Sequence, residues 1–184
     1  GLFSSGWCRL MDLASRRLCG TEDNREALAS GQWLCHESCW TQASRTAIEE
    51  GRPVDIACLG GIHLHAVPIY AGDEIVGAIN FGYGDPPAEE ATLHELATAF
   101  DLDVEDLKDA AATYESRPPF IIALAKRRLQ ASARLIGEIV SRRQATEALA
   151  DSELALRKAQ QVAHVGSWTW HVQEDRVEWS DEMY

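Results

Sequence analysis

The sequence predicts an α+β domain, an antiparallel sheet with flanking helices, that continues into one long helix. Three observations carry this reading. Apolar residues recur at every second position in much of the stretch from Val54 to Tyr83. Helical periods lie on both sides of that stretch. After Pro119 there is no further proline, and Gly137 is the only glycine before Gly166.

Taken in order, Asp23-Asn24 with Glu26 three positions on gives a helix start, and Gly31 ends a short helix over 23–31. A second helix is predicted from about Ser38 to Glu50, with Trp40, Ala43, Ala47 and Ile48 at helical spacing, stopped by Gly51-Arg52-Pro53. Strands follow over Val54 to Cys58, Ile62 to Tyr70 and Glu74 to Tyr83, joined at Gly60-Gly61 and at Ala71-Gly72-Asp73. In the middle strand Ile62, Leu64 and Ala66 share one face, and His63, His65 and Val67 the other. Gly84-Asp85-Pro86-Pro87 closes the sheet. Two amphipathic helices come next, Glu89 to Phe100 and Val104 to Tyr114, with Asp103 as the N-cap of the second.

Arg117-Pro118-Pro119 opens the long helix, in which Ile122, Ala125, Leu129, Ser132, Ile136 and Ile139 follow the alternating spacing of a coiled-coil seam, weakening at Arg143 and Thr146 and resuming near Leu149 and Leu156. A parallel homodimer through this helix is the natural expectation, and packing of the helix on its own domain is the alternative. Lys126-Arg127-Arg128 and Arg142-Arg143 read as a solvated face. Beyond it, Ser167 to Val172 and Arg176 to Ser180 read as two strands that open a further domain, with too little chain to cover their three tryptophans.

Charge separates the same segments. The chain has 184 residues with a formal charge of −12. Residues 1–117 hold 8 basic and 20 acidic side chains, residues 118–163 hold 8 and 4, and residues 164–184 hold 1 and 5. This balance argues against nonspecific binding to nucleic acid or to anionic membranes. With no apolar run of membrane-spanning length and no signal sequence, the chain reads as soluble and cytoplasmic. Five cysteines in a reducing cytoplasm are expected as thiols or metal ligands rather than disulfides.

Two resemblances emerge from these residues. Ala159 to Trp170, with Val177 to Tyr184, resembles the opening of a PAS domain. Residues from about Trp7 to Pro87 resemble a PocR-type ligand-binding domain: Trp7-Cys8, Cys35 and Cys39, Cys58-Leu59-Gly60-Gly61-Ile62, Val67-Pro68-Ile69, and Val76 to Gly82. The second resemblance implies a PAS-like sensory fold that binds small hydrocarbon-derived molecules in prokaryotic signalling proteins, ahead of PAS and output domains. The resulting division is 1–117 sensory domain, 118–163 signalling and dimerisation helix, and 164–184 the start of a PAS domain. The family domain has more chain ahead of its first cysteine, so the sheet is expected to lack its leading strands.

Cys35 and Cys39 lie one helical turn apart, and Cys58 and Cys8 are their best partners for a four-thiolate centre, either zinc or an iron–sulfur cluster. Core thiols are the alternative. A pocket is expected between the sheet and the Trp40 helix, with Trp33, Trp40, His63, His65, Tyr70, Phe81 and Tyr83 as candidate walls. Singly each of these suits core packing; together they suit a ligand site. A non-catalytic sensor passing a ligand or redox change to the long helix is the leading function. The competing readings are a thiol enzyme, with Cys58 or Cys35 as nucleophile and His36 or His63 as base, and a zinc-stapled dimerisation unit. No phosphate loop, HExxH or nucleophile elbow supports an enzyme.

Overall fold

The period-two stretch folds as a meander of β1 (Val54–Ala57), β2 (His63–Ala71) and β3 (Glu74–Tyr83), antiparallel and in the order β1-β2-β3. The register sets Asp55 opposite His65, His65 opposite Phe81, and His63 opposite Tyr83, with one irregularity between Ile69 and Tyr70. The structure, a computed structural model, describes residues 6–163 and 166–179. The chain divides into two compact units, Gly1–Glu138 and Ile139–Tyr184.

In the first unit, β2 is buried on both faces. Leu64 and Ala66 pack with Val54 against Ala43 and Ala47. On the opposite face Val67 and Ile69 pack with Ile79 against Leu129 and Ala133. These last two belong to α7 (Pro119–Ala163), so the first turns of the long helix cover one side of the sheet. Complete burial of such side chains stabilises by about 1.5–3 kcal/mol each, which sets the register. Gly137 makes the close approach possible, because a Cβ there would collide with the Tyr70 carbonyl.

The other side is covered by a continuous helical stretch, α3 (Leu34–His36), a π-helical segment (Glu37–Ser44) and α4 (Arg45–Glu50). It starts four residues before the sequence predicts. The wider winding has a local cause. The Cys39 carbonyl accepts from Ser44 Oγ at 3.0 Å and from Asn80 Nδ2 at 2.7 Å, and Asn80 Nδ2 also reaches Ser44 Oγ at 2.9 Å. Side chains thus add partners to a carbonyl within the π turn and tie the segment to β3.

A third core joins α1 (Gly6–Leu18), α5 (Glu90–Phe100) and α6 (Val104–Ala112), through Trp7, Met11, Leu93, Phe100 and Leu107. The sequence reading places no helix at 6–18. Trp7 is almost completely buried, and its indole donates to the Gly60 carbonyl at 2.7 Å. The short α2 (Asn24–Ala29) is capped as expected, Asp23 Oδ1 accepting from the amides of Arg25 and Glu26 at 2.8 and 2.9 Å. Asp103 caps α6 in the same manner, accepting from the Glu105 amide at 2.8 Å.

The second unit holds the rest of α7 and an antiparallel hairpin, β4 (Trp168–His171) and β5 (Arg176–Trp179), which the strand pattern anticipates. Its Trp168 and Trp179 rings lie 6.5 Å apart on paired residues. Of the stretch resembling a PAS opening, residues 164–165 and 180–184 lie outside the described residues.

The coiled-coil expectation needs one correction. Leu129 of the predicted seam faces the chain's own sheet, while Ile136 and Ile139 are exposed at 37% and 60%. Ile121, Leu124 and Leu135 also point outward. The seam residues nearest the sheet therefore serve the domain itself, because β2 has a second apolar face to cover.

Gly137→Ala is expected to lift α7 from the sheet and to cost about 1–3 kcal/mol or more, the range for overpacking. Urea unfolding and amide exchange over residues 119–138 would measure this, and unchanged stability would contradict the close approach.

Candidate functional site

The outward alternation of β1 to β3 places a polar and aromatic group on the sheet face that α7 crosses. Asp55 Oδ1 is its hub. It lies 2.6 Å from Lys126 Nζ, accepts from the Tyr83 hydroxyl at 2.8 Å, and stands 2.9 Å from His65 Nδ1. A carboxylate only accepts, so the shared proton sits on His65 Nδ1. His65 is only 4% exposed, and its Nε2 has no partner among the described residues. Burial opposes ionisation of Asp55, but the hydrogen bonds from Lys126, Tyr83 and His65 outweigh it and hold the carboxyl below its usual range. Burial likewise opposes the Lys126 charge and is outweighed by Asp55 and Tyr83, leaving its pKa raised.

Aromatic rings line the same group. His63 lies 5.6 Å from Tyr83, Phe81 5.9 Å from Tyr83, and His65 6.0 Å from Phe81 edge-on. Lys126 Nζ sits 4.1 Å from the Tyr83 ring centroid. Four of the seven candidate ligand residues are thus brought together, although on the α7 side of the sheet rather than beneath the Trp40 helix.

The other three are scattered. The Trp33 indole donates to Asp12 Oδ1 at 2.9 Å under the Arg16 guanidinium. The Tyr70 hydroxyl donates to the Gly51 carbonyl at 2.8 Å. Trp40, 54% exposed, lines a groove of about 520 Å³ with Ser44, Arg45, Ile48, Glu49, Gly77 and Ala78, between its helix and β3. This is where the sequence places a pocket, with one aromatic wall in place of several.

The sequence reading missed Asp55 and treated Lys126 as part of a solvated cluster. Small residues at Ala133 and Gly137, four apart, signal a face in close contact, and Lys126 lies on it two turns earlier.

Cys8, Cys35, Cys39 and Cys58 meet where two cores adjoin. The first two and Cys58 pack on the α1–α5–α6 core, and Cys39 and Cys58 on the core beneath the sheet. Cys58 and Cys39 influence Cys35 electrostatically, and Cys8 influences Cys39 and Cys58. Buried Ser15 and Ser38 stand beside Cys35 and Cys58 and temper the rise in their pKa, and the Gly60 amide donates to Cys58 Sγ at 3.3 Å. Ser38 Oγ also accepts from the Leu59 amide at 2.9 Å, fixing the loop. None of the five cysteines is in a disulfide.

Among the described residues no group of three or more His, Cys, Asp or Glu is arranged to hold a metal ion. Burial pushes the Cys35 thiol up, and pushes Cys39 up to about 12 from an ordinary 9.0. Metal ligation needs thiolates, so a zinc or iron–sulfur centre here would have to displace these protons and draw the donors together. The same shift is opposite to that of an activated nucleophile.

Alkylation by iodoacetamide at pH 8, followed site by site by mass spectrometry, is expected to label Cys35 and Cys39 more than about a hundredfold slower than free cysteine. Labelling at the rate of free cysteine would refute the buried, neutral state of these thiols.

Among the described residues no helix is long and apolar enough to cross a membrane. No curated protein matches the chain. No solved structure matches it either. A family model described as the sensory domain found in PocR matches residues 14–147, which takes in Cys35, Cys39 and Cys58, the sheet and α7 as far as residue 147, and begins after Trp7 and Cys8. The chain therefore belongs to the PocR sensory domain family, a family of ligand-binding sensory modules in signal transduction.

Proposed function

We propose that this chain senses a small, hydrocarbon-derived molecule and relays the event along α7, as a dimer, to a PAS domain that begins at the β4–β5 hairpin. One observation carries the reading: the first turns of α7 form one wall of the sheet's core, so any change in the sheet acts on that helix directly. A ligand shifts such an element only by its differential affinity for two arrangements.

The groove beside Trp40 is the proposed entry for the apolar ligand. It adjoins the π-helical segment, a kind of element that occurs often at functional sites. A ligand seated there touches β3 and the helix that Asn80 ties to β3. Movement of β3 reaches Ile79, which packs with Leu129 and Ala133 of α7. For the dimer, Ile121, Leu135, Leu149 and Leu156 are all exposed and separated by multiples of seven, the spacing of one coiled-coil position.

A second reading keeps a metal. Four thiols meeting at one seam is the observation in its favour, and it requires their deprotonation and rearrangement. Elemental analysis of protein purified without oxygen decides. One zinc per chain, or iron with sulfide, would replace the reading of these cysteines as core thiols.

Toluene and cyclohexane serve as probes of the groove. Tryptophan emission is expected to change saturably on titration in the parent chain and to stay flat in Ala78→Trp, which fills the groove. No change in the parent chain would exclude the groove as the apolar site. Leu149→Cys is expected to form an interchain disulfide under mild oxidation, absent from the parent chain. A chain that sediments as a monomer and gives no crosslink would end the dimeric relay.

A further inference from the structure

We propose that Tyr83 and Asp55, flanked by His63 and Phe81, form a binding site for small alkylammonium ions, and that Lys126 of α7 occupies it as an internal ligand. The inference rests on the reading of α7 as the relay helix and adds a second ligand class to it.

The geometry is that of cation recognition. An ammonium nitrogen lies 4.1 Å from the Tyr83 centroid, within the roughly 6 Å over which a ring face attracts a cation. The same nitrogen is 2.6 Å from a carboxylate oxygen, so an N–H donor is recognised together with the charge. Asp55 is held by two further donors, His65 Nδ1 and the Tyr83 hydroxyl, which fix the carboxylate whether or not Lys126 is in place. His63 and Phe81, 5.6 and 5.9 Å from the Tyr83 ring, extend the aromatic wall.

An ordinary surface ion pair needs none of this framework. Two exposed residues on a helix and a strand would make the same contact without three neighbouring rings or a buried histidine orienting the acid. The site also opens to water: His63 is exposed, and the Asp55 side chain is 44% exposed. The acidic excess of residues 1–117 draws cations toward it.

Lys126 shows what fits, a four-carbon stem ending in an ammonium group. A free ligand of that shape competes with a tethered one, whose effective concentration is on the order of millimolar or higher. Binding to the parent chain is therefore weak. Displacement of Lys126 removes the one ionic tie described between α7 and the sheet, leaving the apolar contacts of Leu129 and Ala133.

The test is calorimetric titration of the chain with n-butylammonium chloride, with potassium chloride and n-butanol as controls. Lys126→Ala is expected to bind n-butylammonium at least about tenfold more tightly than the parent chain, because the tethered competitor is gone. Adding Asp55→Asn to that variant is expected to abolish binding, and n-butanol is expected not to bind. Should Lys126→Ala fail to fold, Lys126→Met retains the stem without the charge and carries the same expectation against the parent chain. No saturable binding by a folded Lys126 variant, or binding that survives Asp55→Asn, would overturn the site. Equal binding of n-butanol would overturn it too, while leaving an apolar sensor intact. Binding that leaves amide exchange over residues 119–138 of the parent chain unchanged would uphold the site and sink the relay reading instead.

Discussion

Burial of β2 on both faces is the constraint from which the larger unit follows. A three-stranded sheet with a single apolar face would be complete once α4 and the π-helical segment covered Leu64 and Ala66. Val67 and Ile69 on the opposite face demand a second cover, and the nearest apolar helix able to supply it is the long one that leaves the domain. The long helix is thereby built into the domain's core. One contact shows how tightly: only glycine at position 137 lets the helix backbone reach the Tyr70 carbonyl. A helix tethered by loops alone could ignore a change in the sheet, whereas this one shares side-chain packing with it.

The π-helical segment poses a different problem. Wider winding replaces i→i+4 backbone bonds by i→i+5 bonds, and side chains can reinforce it. Here Asn80 and Ser44 do so at the Cys39 carbonyl. Because Asn80 projects from β3, winding of the helix and position of the strand are linked by one amide. The Trp40 groove lies between those same two elements. The groove thus borders a helix turn held in an uncommon geometry by a strand.

Much of this was legible in the chain. Alternation between Ile62 and Val67 gives the two faces of β2 and puts His63 and His65 together, and the caps at Asp23 and Asp103 start their helices as the side chains predict. Helix α1 escapes the sequence reading although Trp7, Met11 and Ala14 stand at helical spacing, and the partners that bury them, Phe100 and Leu107, lie about ninety residues away. The π winding was illegible for a related reason, since an amide from β3 completes it. The meeting of four cysteines was legible from motif positions. The protonation of Cys35, Cys39 and Cys58 was not, because it depends on burial by elements distant in the chain. Coiled-coil spacing likewise could not tell a partner chain from the chain's own sheet, as Leu129 demonstrates: both covers ask for the same apolar stripe.

The two clusters that the sheet organises are electrostatic opposites, and that contrast bears on which of them is suited to respond. Cys35, Cys39 and Cys58 are held neutral by desolvation, half-buried among core side chains. Asp55 and Lys126 are charged, at the margin of the sheet, and their pairing is partly solvated. Exposed ion pairs contribute about 0–1 kcal/mol, far less than the apolar contacts of Leu129 and Ala133 beside them. A regulator must be exchangeable at the free energy a small ligand can supply, and moving an equilibrium from mostly one state to mostly the other takes about 5.5 kcal/mol of differential affinity. Leu129, Ala133 and Gly137 seat the helix on the sheet, and the ion pair adds a small, partly solvated tie beside them. Of the two clusters it is therefore the one whose loss lies within the free energy that a small ligand supplies.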